Sequence, residues 1–275
     1  MVYLFLFCIF YYLMAGISVG IGYHRFLSHH SFKLKKWFEY FIITTGLPAG
    51  TPIQWAGNHR YHHAHTDMEK DPHSPVVNGF WYAHNGWYIN SRNSFVCFLY
   101  ALAGPVRFII DSWNRPRTNQ QFNYLAPEIA ADPYYHFISK PVPYMFALWL
   151  HFILPFGMAY YFWGLTGFFS MWLTLVLVFN FGDAIDSVAH LYGEQPYKKK
   201  DHARNNWFMA IVTLGDGWHA DHHQFPGSAR LGLKPGRFDC SWHIISMLKF
   251  FRIAYDVNNI SYEKVVTQLK NNTSL

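Results

Sequence analysis

No charged residue occurs from Met1 to Tyr23, and a second uncharged run extends from Pro141 to Gly182. A bilayer core about 30 Å thick takes about 20 apolar residues to cross as a helix at 1.5 Å per residue. The first run therefore supplies one crossing and the second two, with Trp163-Gly164-Leu165-Thr166-Gly167 as the turn. This places spans near 3–22, 142–162 and 166–185. Two shorter apolar segments, near 37–53 and 94–110, fall below spanning length, and Gly46, Pro48, Gly50 and Pro52 interrupt the first. Such segments read as interfacial or re-entrant. The pattern predicts an all-α integral membrane protein with about three spans, re-entrant or interfacial helices and a histidine-rich cap. Residues 1–275 read as one domain.

Basic residues fix the orientation. Arg25, Lys33, Lys35 and Lys36 follow the first span, and Arg107, Arg115, Arg117 and Lys140 precede the second. Lys198, Lys199, Lys200 and Arg204 follow the third, while the hairpin tip carries no charge. By the positive-inside rule all of these, and the cap with them, face the cytoplasm. The cluster Lys198–Lys200 with Arg204 also suits docking of an acidic or phosphate-bearing partner, although its topological role alone accounts for it.

Composition agrees. Hydrophobic residues make 51% and charged residues 14%, against roughly 25% charged in soluble domains, which excludes disorder. The net charge of +6 resides mostly in the cap and does not mark a nucleic-acid partner. Cys8, Cys97 and Cys240 lie far apart and read as free thiols.

Histidine changes the picture. Of 17 histidines, 10 lie in the windows 24–30, 59–65 and 219–223, where chance would place about one, a clustering that suggests a metal site. His24 and His29 are His-x4-His; His59, His62 and His63, like His219, His222 and His223, are His-x2-His-His. Positions i, i+3 and i+4 share a helix face, so each of the last two boxes can aim its imidazoles inward. The i, i+5 pair suits the unwinding end of a span. Neutral imidazole fits iron, zinc, copper or nickel. With 37–53 re-entrant, all three boxes meet at the cytoplasmic face. Asp186 and His190, at i and i+4 at the end of the third span, can join them. His136, His151, His202 and His243 read as satisfied or exposed side chains.

On GYHRFLSH, QWAGNHRYHH with DPHSP and FWYAHNGW, DSVAHLYG and GDGWHADHHQFP, the chain resembles the membrane-bound fatty acyl desaturases of the delta-9 acyl-CoA or acyl-lipid type, from about Gly16 to Asp256. The resemblance implies two irons held by His24, His29, His59, His62, His63, His190, His219, His222 and His223. It also implies that Trp55 shapes the acyl tunnel and that His73 and His84 bind no metal. The implied reaction is O2-dependent desaturation of a long-chain acyl group. No fused cytochrome segment is visible, so the implied electron donor is a separate ferredoxin or b-type cytochrome. Zinc can occupy the same site in overexpressed protein.

The chain departs from the family at three places. Where the family usually has an asparagine that reaches one metal through water, this chain has Asp186, which can ligate directly. Ala220-Asp221 replaces the usual spacer in the third box, whose side chains need not touch metal. Animal members also carry a further span before the one ending at the first box. Met1 here begins inside the equivalent of their second span, which fits a three-span type or a truncated start.

Removing hydrogen from an unactivated methylene exceeds any acid–base side chain and needs a metal–oxygen oxidant. Asp67, Asp71, Asp183 and Asp216 are the expected partners that orient the imidazoles. Side chains around Cys8–Met14, including Tyr11 and Tyr12, are expected to limit chain length. A lipid, alkane or carotenoid hydroxylase would use the same di-metal site. A membrane metal transporter would place its ligands at the middle of spans, whereas all but His151 lie at span ends or outside them.

Overall fold

The structure, a computed structural model, describes residues 1–197 and 201–273. The basic cluster Lys198–Lys200 lies outside the described residues. Helices dominate, and the strands among the described residues are Lys33–Leu34 and Ala254–Tyr255, paired antiparallel.

Among the described residues two helices are long and apolar enough to cross a membrane, Val2–Ser28 and Pro141–Leu191. The first starts as an α-helix over Val2–Ile17 and widens into a π-helix over Ser18–Ser28. The 51 residues of Pro141–Leu191 would measure about 75 Å if straight, far more than one bilayer core. Gly164, at φ 59° and ψ −144°, breaks the run into a hairpin. Beyond it the chain turns back: the rings of Phe156 and Phe168 lie 5.3 Å apart, and a Cβ on Gly167 would sit 2.0 Å from the Ala159 carbonyl oxygen. Phe108 packs against both arms, 6.0 Å from Phe152 and 6.0 Å from Phe179. Outward-facing Phe5, Phe10, Leu150, Ile153, Leu173 and Leu177 are exposed, as a lipid-facing surface requires.

The two shorter apolar segments are broken helices. Lys36–Thr45 gives way to a short 3₁₀ turn, Leu47–Ala49, before Pro52–His65 begins. The break lies inside the protein, and its carbonyls are satisfied there. Tyr144 donates to Leu47 O, Arg115 to Ala49 O and Tyr23 to Gly50 O, so the interruption leaves these groups paired.

Between Ser94–Leu102 and Val106–Asn114 the chain bends by 118°. Gly104, at φ +50°, allows the bend, and the Trp172 indole packs on it while donating to Leu102 O at 3.1 Å. Buried Arg107 pairs with Asp183 at 2.8 Å and with Asp111 at 3.8 Å, and Arg115 lies 3.5 Å from Asp111. These charges tie the bent segment to the second arm of the hairpin.

The cap stands on the ends of these helices. Thr51 caps Pro52–His65 by accepting from Gln54 N, and Asp239 caps Cys240–Phe250 by accepting from Trp242 N. The short helices Trp207–Val212 and His219–Gln224 complete the floor and one wall of the site.

Candidate metal centre

The π-helix aligns the first histidine box. Five residues along an α-helix turn the side chain about 140° off the starting face, so His24 and His29 would diverge. Here His29 N donates to His24 O at 3.2 Å, an i→i+5 bond, and the two imidazoles lie 5.2 Å apart. The span widens rather than unwinds, a distortion that favours a functional site.

The other boxes exploit ordinary helical spacing, in opposite senses. In Pro52–His65, His59 and His63 turn toward the first box, with His59 Nε2 2.7 Å from His29 Nε2 and 3.1 Å from His63 Nε2. In His219–Gln224 it is the middle histidine that does so: His222 Nε2 lies 2.9 Å from His24 Nε2 and 2.9 Å from His63 Nε2. His62 points the other way and groups with His190, His219 and His223. In this second set His219 Nε2 is 2.9 Å from His190 Nε2 and 3.0 Å from His223 Nε2. Positions i+3 and i+4 diverge by about 100° on a helix, which is why the neighbours His62 and His63 fall into different sets. Pairwise contacts of 2.7–3.1 Å thus link His24, His29, His59, His63 and His222 into one set of five, and His62, His190, His219 and His223 form the other, with His63 also grouped with His223.

Carboxylates hold three of the rings. His190 Nδ1 donates to Asp67 Oδ2 and His62 Nδ1 to Asp71, each at 3.0 Å; His24 Nδ1 lies 3.4 Å from Asp216 Oδ1. With Nδ1 carrying the proton, each Nε2 presents a lone pair to its set. Asp216 is fixed in turn by buried Arg25, which also pairs with Asp239. Asp183, the fourth expected partner, faces Arg107 instead and orients no imidazole.

The electrostatics favour neutral ligands. Burial, then neighbouring imidazoles, pushes His59, His63, His219, His222 and His223 well below the ordinary histidine value. His62 is the exception: burial lowers it, but Asp71 more than offsets this and its pKa rises. Burial acts to raise Asp67, yet the hydrogen bond and charge of His190 bring it down to about 2.

These residues fit metal ions. Lone-pair nitrogens about 3 Å apart match the spacing of adjacent ligands around an ion held at about 2.1 Å. Among the described residues the buried Nδ1 atoms of His219 and His222 have no hydrogen-bond partner, and each ring turns its Nε2 to its set.

Asp186 stands beside the second set, outside its four nitrogens, with Oδ1 3.9 Å from His73 Nδ1. His73 stacks on His62 at 4.4 Å and completes a tight group with His62 and Asp71. Burial and His62 lower its pKa to about 3. His84 is held by Ser187 and Asn180, away from both sets.

Below the histidines opens a cavity of about 1290 Å³, its mouth included, reached by His24, His59, His62, His219 and Asp186. Its walls are the small face of the first span (Ala15, Gly16, Val19, Gly20) and the facing Val178, Phe181, Gly182 and Ile185. Trp55 forms part of the wall at the metal end, stacked on His59 at 4.8 Å. At the far end Tyr12 donates to Val212 O and meets Phe181 edge-on. Tyr11 is packed among the hairpin core and does not line the cavity.

The fatty acid desaturase family profile matches residues 2–236. The chain belongs to the fatty acid desaturase family. This desaturase is 34% identical over 250 residues to delta-9 acyl-lipid desaturase 1 of Arabidopsis thaliana, covering 90% of this chain and 72% of that one. It is 34% identical over 256 residues to an acyl-CoA C20 delta5-desaturase of Anemone leveillei, with 91% and 72% covered. It is 33% identical over 250 residues to an sn-1 stearoyl-lipid 9-desaturase of Anabaena variabilis, with 90% and 80% covered. The desaturase is therefore an oxidoreductase acting on fatty acyl groups, with long apolar helices suited to a membrane and histidine clusters able to bind metal.

Proposed function

We propose that this desaturase introduces a double bond, at the delta-9 position, into a long-chain acyl group carried on CoA or on a lipid. The observation that carries this reading is the convergence of nine imidazoles, in two sets, on one end of a long apolar cavity. Two irons bound there would supply, with O2, the oxidising power to break two C–H bonds. The balance is one saturated –CH2–CH2– unit, one O2, two electrons and two protons giving –CH=CH– and two waters. A ferredoxin or b-type cytochrome would provide the electrons.

The protein's own groups place the substrate and protect the site. His24, His29, His59, His63 and His222 would hold one ion, and His62, His190, His219 and His223 the other, with Asp186 as the carboxylate beside the latter. Asp67, Asp71 and Asp216 fix ring orientation through Nδ1. Trp55 and the apolar walls hold the acyl chain and keep water out. Tyr12 closes the far end and so sets which carbons reach the histidines. The positive-inside pattern supports a cytoplasmic active site, where soluble electron donors have access. Expression in a host lacking unsaturated acyl chains, followed by lipid analysis, tests the reading. It requires monounsaturated chains that vanish in His62→Ala and His223→Ala.

A further inference from the structure

The third histidine box carries an aspartate between its ligands, and its side chain is fully buried. Asp221 lies on the back of the helix His219–Gln224, turned away from both imidazole sets. Its Oδ1 accepts from Tyr197 Oη at 3.0 Å and from Asn205 Nδ2 at 2.8 Å. Its Oδ2 accepts from Arg237 Nη1 at 2.6 Å and from Leu233 N at 3.3 Å. Asn205 closes the arrangement by accepting from Asp221 N through Oδ1 at 3.1 Å. Arg237 then reaches Glu194 at 2.6 Å and lies over the Trp218 ring.

Four donors thus converge on one carboxylate from segments on both sides of the box in sequence. A helix of six residues has little stability of its own, so its position is set by what grips it. His219 and His223 belong to the four-histidine set and His222 to the five-histidine set. A small rotation of this helix would therefore displace ligands of both centres together. Hydrogen bonds to a charged acceptor, buried and fully satisfied, give the grip both strength and direction.

We propose that Asp221 is a positioning residue that holds the third box in register for both metal sites at once. Among the described residues neither Nδ1 of His219 nor that of His222 has a partner. Those two rings therefore depend on the backbone beneath them for their aim, unlike His62 and His190, which are held directly by Asp71 and Asp67.

The inference rests on the two-metal reading, and the two fail differently. Purified full-length protein in detergent is stripped with chelator and titrated with Fe(II) against a competing chelator. Wild type binding two ions supports the reading. Asp221→Ala is expected to lower affinity at both sites roughly 10- to 100-fold, the usual effect of removing an outer-shell support, with an altered absorption spectrum of the loaded protein. Wild-type affinity in Asp221→Ala, or loss at one site alone, overturns the inference while leaving the reading intact. The metal-free melting temperature separates the two roles: a merely structural part would lower it and leave affinity unchanged. If Asp221→Ala does not fold, Arg237→Gln and Tyr197→Phe carry the test. Weaker binding at both sites in these variants supports the proposal, and wild-type affinity overturns it.

Discussion

Asp67 Oδ2 lies 3.0 Å from His190 Nδ1, joining the loop after the second box to the end of the hairpin across 123 positions of sequence. The same carboxylate accepts from Ser74 Oγ and from His202 N, both at 2.7 Å. One oxygen pair thereby fixes the tautomer of a ligand and the path of two loops. Its contacts touch one centre only, which makes the consequence of removing it specific.

Asp67→Ala frees the His190 ring and should empty the four-histidine site first. The expected result is a roughly 10- to 100-fold loss of metal affinity there, with the five-histidine site retained. Iron content per protein and turnover measured together check this, and equal loss from both sites contradicts it.

Chain length should respond to Tyr12 and not to Tyr11. Tyr12→Ala removes the ring that closes the cavity between the first span, Phe181 and Val212, so longer acyl chains should enter and the preferred substrate should lengthen. Tyr11→Ala, a change outside the cavity, should leave the product profile as it is. Fatty acid profiles of cells expressing each variant read the difference.

The buried imidazoles predict acid sensitivity of the metal-free protein. His59, His63, His219, His222 and His223 have folded-state pKa values well below the ordinary value, near 6.5 in an unfolded chain. Below that pH the unfolded state binds more protons, so stability present above about pH 6.5 is lost as pH falls. His62, whose value is raised by Asp71, acts in the opposite sense but is outnumbered, since His29 and His73 are lowered as well. Melting temperature should therefore drop between pH 7.5 and 5.5; a flat or rising value contradicts the burial argument.

The bend at Gly104 should not tolerate a side chain. A Cβ there would sit 2.5 Å from Trp172 Nε1, on a backbone with φ +50°. Overpacking of this kind costs about 1–3 kcal/mol. Gly104→Ala should lower the melting temperature in detergent without changing the metal affinity of the protein that does fold.

Much of this site was legible in residue spacing. The His-x2-His-His boxes declare themselves because i, i+3 and i+4 share a helix face, and Asp186 and His190 stand out as polar groups closing an apolar span. Which histidine joins which set was not legible. Box two sends its first and last members to one set and box three sends its middle one, a choice made by how the helices are rotated in the cap. The π-helix was equally hidden: the i, i+5 spacing of His24 and His29 read as unwinding, whereas packing stabilised a wider turn. Asp183 pairs with Arg107 because the bent segment packs on the hairpin there, a contact between residues 76 apart. Asp221 looked like idle spacer because its role lies on the back of the helix, with partners that only the tertiary fold assembles.

The central claim is tested most directly by the mass of the product. Lipids from a host lacking unsaturated acyl chains, expressing this protein with its electron donor, should contain acyl chains two hydrogens lighter, with the double bond at delta-9 and absent in His62→Ala. Chains heavier by one oxygen with no unsaturation would mean that the same two histidine sets perform hydroxylation, and would contradict the account.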